Sequence, residues 1–461
     1  MGMSRQDIVQ IAVLLTGCLL VVLNYTLLAP ALPVIMHEMD VNATTVQWLT
    51  SVYALVEAVV IPLNAFLLGR FSVRKLFIGA LGLFVAGSLA VAAGPSFPAL
   101  LAGRVLQAAG SGVIMPLVFT LTLLTAPRES RGQVMGLIGV VISFAPAIGP
   151  PASGALIDLV GWRILFVIVA AFGVVSMLVS AALLKNREGF ERTSFDVPSI
   201  LLSSVGMTTL LYGLSSITSS TTPLVDAALM AVGAALMVVF ARRQRKLEVP
   251  MLRVETLRTR RFRNAIVVCC LLEAALIAID VLLPLFLQNS LGQTPTETGL
   301  IMAPAALAGA ASGVVAGRIF DKHGVRVIAL VGAVLLEAAA IGLCFCGADA
   351  LPAAIAGLYM VETIGWQFVS TPSNTWGINS LPNEHIQHGN AVMSTLMQVG
   401  ASFGTAAIIS LTAFGPALAG PGADVQLVGY RTAFIGAAVL LGVVALFIAI
   451  AVRNKPTDVQ S

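Results

Sequence analysis

Five acids sit inside long apolar runs, Glu337 and four whose chemistry would be the exchange of a proton: Glu57, Glu273, Asp280 and Glu362. An ionisable group buried in such a run is costly and marks a candidate functional site. Burial in general moves a carboxylic acid toward neutrality, so such a group can take a proton on one side of a barrier and release it on the other. Glu273 and Asp280 are seven residues apart, which puts both on one face of a helix. These four are the proton-coupling candidates, each with a plain interhelical hydrogen bond as the alternative reading. Arg104 is the lone basic residue within an apolar run and must meet an acid or backbone carbonyls. It is the expected charge partner of a neighbouring carboxyl, or else half of a fixed ion pair. Asn24, Tyr25, Trp366, Gln367 and Gln398 add polar and aromatic groups suited to amphipathic ligands, although aromatic residues on such helices more often pack.

The elements that carry these residues follow from composition. The 461 residues are 58% hydrophobic and 10% charged, with mean hydropathy +0.95, whereas a soluble domain carries roughly a quarter charged residues. The fold class is therefore an all-α membrane protein. Hydropathy and helix breakers place fourteen spans at about 8–33, 45–68, 76–94, 98–124, 133–157, 164–184, 196–216, 224–241, 264–288, 296–317, 325–346, 350–371, 388–413 and 430–452. The first run exceeds a secretory leader in length and reads as an uncleaved helix. With both termini cytoplasmic, all but three of the 26 basic residues lie in inner loops and tails, the three being Arg104, Arg163 and Arg431. That distribution obeys the positive-inside rule and predicts a multi-pass protein of the cytoplasmic membrane. The basic stretch Arg242 to Arg263 then faces anionic lipid, and no nucleic-acid partner is expected.

Other chemistries lack their residues. There is no phosphate-binding Gly-x-x-x-x-Gly-Lys-Ser/Thr loop and no His-Glu-x-x-His, so neither ATP hydrolysis nor another enzyme activity is expected. The five cysteines lie in apolar runs without metal-ligand partners, and no metal or cofactor is expected. The four histidines, His37, His323, His385 and His388, are expected in surface loops. Energy must come from a gradient or from the substrate itself, and a proton gradient suits the acids.

Two patterns describe the halves. Gly69 to Arg74 and Asp321 to Arg326 are similar inner loops, the second within Gly317-x-x-x-Asp321-Lys322-x-Gly324-x-Arg326. Eight spans separate them, so a six-helix unit is repeated with two helices inserted: residues 1–192, 193–245 and 246–461. Repeated halves with a midplane site between them are a common plan of secondary transporters. The stretch 132–158 is apolar yet holds Gly136, Gly139, Pro146, Gly149, Pro150, Pro151 and Gly154. In a membrane such a helix can bend and pack closely.

Gly149-Pro150 with Ser153-Gly154 resembles the antiporter motif of drug exporters, where Gly-Gly usually stands in place of Ser153-Gly154. Leu23 to Thr26 with Ala31-Leu32-Pro33, Arg104 to Gln107, Gly161-Trp162-Arg163, Phe195-Asp196 and Asn374 to Pro382 are similar, in order, to motifs of the 14-helix drug:proton antiporter family of the major facilitator superfamily. The resemblance implies a secondary transporter exporting lipophilic or amphipathic small molecules in exchange for protons, working as a monomer. It makes Gly149, Pro150, Gly154, Gly317, Asp321, Gly324 and Arg326 gating residues, places the ninth helix on the central cavity and puts Glu337 in a peripheral helix. Asn24 replaces the family's acid in the first helix, and Gly69 and Ser72 replace the usual Asp and Gly of the first-half loop. An amide does not titrate, so coupling must have moved to another acid, or the chain is a uniporter or an exporter of one amphipathic metabolite.

Overall fold

The structure is a computed structural model, and it describes residues 5–125, 131–185, 196–216, 222–247, 254–382, 386–420 and 424–452. Among the described residues there is no strand, and fourteen helical rods account for the architecture. Helix α1, Arg5–Leu27, continues through a turn at Ala29–Ala31 into Leu32–Glu38. Helix α2 is Trp48–Val60, continued by a turn at Ile61–Leu63 and by Asn64–Arg70. Then follow α3 Val73–Ala93, α4 Phe97–Thr125, α5 Arg131–Val160 and α6 Trp162–Leu183. The inserted pair is α7 Val197–Ser216 and α8 Pro223–Gln244. The rest are α9 Arg260–Asn289, α10 Pro295–His323, α11 Val325–Cys344 and α12 Pro352–Ile378. Helix α13 is Ile386–Ser410, extended by Leu411–Phe414 and Gly415–Leu418, and α14 is Val425–Ala451.

Ten of the described helices are long and apolar enough to cross a membrane. Helix α2 is interrupted at Pro62, and α12 carries Thr363, Gln367, Thr371, Ser373 and Asn374 along its length. Both rods are sheltered by neighbours, so apolarity is not demanded of every face. The end that bears residues 39–47 and 290–294, poor in basic residues, is called outer below.

Proline creates the breaks and neighbours repair them. Pro30 has no N–H to continue α1, and two exposed carbonyls find side chains instead: Ser153 Oγ donates to Leu27 O at 2.6 Å and Gln288 Nε2 to Pro30 O at 3.0 Å. After Pro62, Asn64 Nδ2 donates to Gly112 O at 2.7 Å. Gly324, at φ +75°, ends α10 and opens α11 in a backbone region that other residues rarely adopt. Thr294 and Glu297 form a reciprocal capping box at the start of α10.

The packing has two long seams. Helix α5 lies along α10, and α2 lies along α13, while α7 packs on α8 and also against α2 and α13. One buried apolar cluster fills the second half and continues across the outer end into Leu28, Ile35, Val46, Leu49 and Trp162. A separate cluster around Leu14, Phe77, Phe84 and Ile114 belongs to the first half. Among the described residues the halves share a large buried core at the outer end and a small one at mid-depth, where Leu55 and Val59 of α2 meet Val399 and Phe403 of α13 beside Met207.

Candidate functional site

A cavity of about 310 Å³ lies between the halves. It is lined from α1 by Tyr25 and Thr26, from α2 by Thr50, from α5 by Pro150, from α9 by Glu273 and Asp280, from α10 by Met302 and Gly309, and from α12 by Tyr359, Thr363, Trp366 and Gln367. The two α9 acids share one face, as their spacing requires. Tyr359 OH donates to Asp280 Oδ1 at 2.6 Å, and Trp366 Nε1 donates to Glu273 Oε1 at 3.3 Å. Each acid is thus paired with an aromatic donor from α12. The break in α1 adjoins the same space, since Leu28, Ala29 and Leu32 also line it.

Glu362 stands one residue before Thr363 but is fully buried, and neither carboxyl oxygen has a hydrogen-bond partner among the described residues. Glu57 does not line the cavity and is buried at the seam of α2 with α13. Ser111 Oγ donates to its Oε1, and Gln398 Nε2 donates to its Oε2 at 3.1 Å, a link from α2 in the first half to α13 in the second. Gln398 is therefore positioned against Glu57 and is absent from the cavity lining.

Arg104 is fully buried in α4. Its Nε donates to Leu49 O at 2.9 Å, its Nη1 to Gln107 Oε1 at 2.9 Å, and its guanidinium lies 4.2 Å from the Tyr53 ring centroid. A backbone carbonyl, not a carboxylate, meets this charge. Gln107 Nε2 donates in turn to Asn24 Oδ1 at 3.1 Å and to Ser88 Oγ at 2.8 Å. Asn24 is consequently buried in the arginine network, and only its neighbour Tyr25 faces the cavity. Tyr25 and Tyr53 stand 6.2 Å apart, joining the network to the cavity wall.

The glycines of α5 divide their work. A Cβ at Gly149 would come within 2.2 Å of Thr26 Oγ1, inside the first half. A Cβ at Gly154 would come within 2.1 Å of Pro295 O, and one at Gly299 within 2.3 Å of Pro150 O. Gly154 and Pro150 are thus the residues of this motif at the contact between halves, whereas Gly149 lets α1 approach α5. At the inner loop, Gly317 has open space beside it and Arg326 Nη2 donates to Ala449 O at 3.3 Å. The side chain of Asp321 lies outside the described residues, as do His385 and the side chain of His388. His37 is not a loop residue: it sits in the last turn of Leu32–Glu38 and its Nε2 is 2.9 Å from Asn289 Oδ1 of α9. Glu337 lies beside Gly442 of α14.

Tyr359 and Ser111 are the side chains that sequence reading missed. The signal for Tyr359 was present, because Tyr359, Thr363, Trp366 and Gln367 recur at helical spacing on one face of α12. Ser111 carries no such signal, since a serine among small residues in α4 has no pattern to distinguish it.

Fourteen helical rods, ten of the described ones long and apolar enough to cross a membrane, packed around a mostly apolar cavity with two carboxylates in its wall have the plan of a multi-pass membrane transporter. Residues 14–405 match the model of the Major Facilitator Superfamily, and the chain belongs to that family. It is 39% identical over 436 residues to an uncharacterized MFS-type transporter, YcnB, of Bacillus subtilis, covering 93% of this chain and 92% of that one. It is 31% identical over 418 residues to the lincomycin resistance protein LmrB of Listeria monocytogenes, covering 90% and 88%. Among solved structures it resembles a bacterial homolog of the human lysosomal transporter Spinster in an inward-facing, unoccupied conformation, with TM-score 0.72, 14% identity and 98% coverage of each chain. That likeness bears on the fold.

Proposed function

We propose that this transporter exports lipophilic or amphipathic small molecules across the cytoplasmic membrane in exchange for protons. The observation that carries the reading is the placement of Glu273 and Asp280 on one cavity wall with Tyr25, Tyr359 and Trp366 around them. Aromatic faces suit an apolar ligand body, and the acids offer groups that can exchange a proton with the two sides in turn. In this reading the protein is a monomer in the bilayer with both termini cytoplasmic, has no nucleic-acid partner, and draws on the proton gradient without a bound cofactor. The name of the LmrB relative makes lincomycin the first compound to test, followed by lipophilic cations, anions and neutral molecules.

A second reading, a uniporter or exporter of one metabolite, is favoured by a single feature: Asn24, at the family's acid position, has its side-chain oxygen held by Gln107 and cannot titrate. Inverted membrane vesicles with an acid interior separate the two. Antiport predicts accumulation of the compound that collapses with the gradient. Uptake that ignores both pH and membrane potential would leave the uniporter in its place.

A further inference from the structure

The inserted pair α7 and α8 lies where the two halves must slide past each other. Helix α7 packs against both α2 and α13, so it runs along the outside of one of the two seams. Its partners change with depth. At the outer end Tyr212 meets Trp48 of the first half, ring centroids 6.2 Å apart. Midway, Met207 is buried with Leu55 of α2, and Val59 of α2, Met237 of α8 and Val399 and Phe403 of α13 pack around them. At the inner end Phe240 of α8 is buried in a cluster with Phe262 and Ile266 of α9 and Ile378 of α12, against which Leu202 packs. Every described member of that inner cluster outside α7 and α8 belongs to the second half.

The pair itself is built stiff. A Cβ at Gly233 would lie 2.5 Å from Leu210 N and one at Gly213 would lie 2.6 Å from Asp226 O, so the two backbones are in direct contact. At the inner end Arg243 Nε and Nη2 donate to Asp196 Oδ2 and Oδ1 at 2.7 and 2.6 Å, and Gln244 Nε2 donates to Ser199 Oγ at 2.7 Å. The bidentate arginine and the glutamine bind the end of α8 to the start of α7. The mid-depth contact is soft, because Met207 and Met237 are unbranched, flexible side chains that repack at little cost, and Met237 reaches from there to the edge of the inner cluster.

We propose that the inserted helices form a rigid bar laid diagonally across the α2/α13 seam, held by the first half outside and the second half inside, and pivoting on Met207 and Met237 so that the seam stays covered as the halves rock. Rocking of one half against the other moves the ends of the helices most and the midplane least. A bar fixed to one half at each end therefore keeps both contacts while its centre turns. This requires that the halves move, and it is independent of substrate and of proton coupling.

The test uses full-length protein in proteoliposomes with the five native cysteines replaced and Ala31→Cys as reporter. Ala31 is fully buried at the outer end, and a membrane-impermeant maleimide reaches it when that end opens. Trp48→Cys with Tyr212→Cys, joined by a short bismaleimide, should leave the labelling rate within about twofold. Ser51→Cys with Ser402→Cys joins α2 to α13 directly, where Ser402 Oγ already lies 3.3 Å from Ser51 O, and should slow labelling at least tenfold. Met207→Ile with Met237→Ile stiffens the pivot and should slow labelling several-fold, with unchanged gel-filtration profile. The proposal is overturned if the 48–212 link slows labelling as much as the 51–402 link, if the isoleucine pair labels at the original rate, or if Ala31→Cys is never labelled.

Discussion

Glu273, Asp280 and Glu362 differ in what donates to them, and that difference orders their expected phenotypes. Asp280→Asn and Glu273→Gln keep an oxygen that the Tyr359 hydroxyl or the Trp366 indole can still donate to, so fold and ligand binding should survive within about twofold. What they lose is a transferable proton. Gradient-driven accumulation should fall more than tenfold while equilibrium binding persists, measured on the same preparations. Normal coupling in both variants, and in Glu57→Gln and Glu362→Gln, would end the antiporter reading. Glu362 is a different case, a fully buried carboxyl with no partner among the described residues. Leaving a buried polar group unpaired costs about 1–3 kcal/mol, so Glu362→Met should raise the melting temperature; a fall would show that the carboxyl has a stabilising partner. The acids themselves were legible, because a charge in an apolar run is conspicuous. Their pairing with donors was not, since Ser111, Gln398 and Tyr359 become partners only once separate helices are packed.

Glu38 gives a prediction outside the membrane-spanning segments. Partial burial pushes its carboxyl up, but hydrogen bonds from Arg163 and Trp162 and the Arg163 charge outweigh this and hold it below the ordinary range. A depressed acid adds stability above its unfolded pKa and loses it as pH falls through the folded one. Glu38→Gln should therefore lower thermal stability at pH 7, by less than about 1 kcal/mol for so exposed a pair. The gap to the parent protein should close as pH drops below about 4 and should shrink in high salt. A gap that widens on acidification would reverse the assigned sign.

At the scale of the element, α5 shows how the same residue type does two jobs a turn apart. An added methyl at Gly149 meets Thr26 of the same half, whose hydroxyl is already 3.1 Å from Leu23 O. An added methyl at Gly154 meets the backbone of Pro295 and Thr296 in the other half, which has no rotamer to yield. Overpacking costs about 1–3 kcal/mol. Gly149→Ala should therefore lower thermal stability, while Gly154→Ala should mainly disfavour the closed outer end and speed maleimide labelling of Ala31→Cys. Equal effects of the two on labelling would refute this division. The Gly and Pro content of α5 was plain in the sequence, but which glycine faces which helix was not. That depends on the rotation of α5 about its own axis, and an apolar segment with apolar residues all round gives no hydrophobic face to fix it.

At the scale of the whole molecule, the fourteen spans were readable from hydropathy, breakers and the side on which arginine and lysine fall. The conformation was not, because the contacts that close the outer end come from polar residues scattered over 250 positions. His37 pairs with Asn289, Gln288 with Pro30 O, and Asp158 Oδ2 accepts from Thr296 N at 2.9 Å. Asn289 is held in place by Tyr430, its Nδ2 donating to the phenol oxygen at 2.8 Å.

The outer hydrogen bonds therefore set how often that end opens, and their removal gives a quantitative expectation. A hydrogen bond contributes about 1 kcal/mol net, and two of them on the closed state alone shift its equilibrium by about thirtyfold. His37→Ala with Gln288→Ala removes one contact from each half while leaving the apolar core of the outer end, including Leu28, Ile35 and Phe286, intact. Impermeant-maleimide labelling of Ala31→Cys should then accelerate by about five- to thirtyfold, with little change in melting temperature. His37→Ala and Gln288→Ala singly should each give part of the gain, since they break different bonds. An unchanged rate in the double variant would mean that apolar packing, not these bonds, holds the outer end shut, and Leu28→Ala would then be the substitution expected to open it.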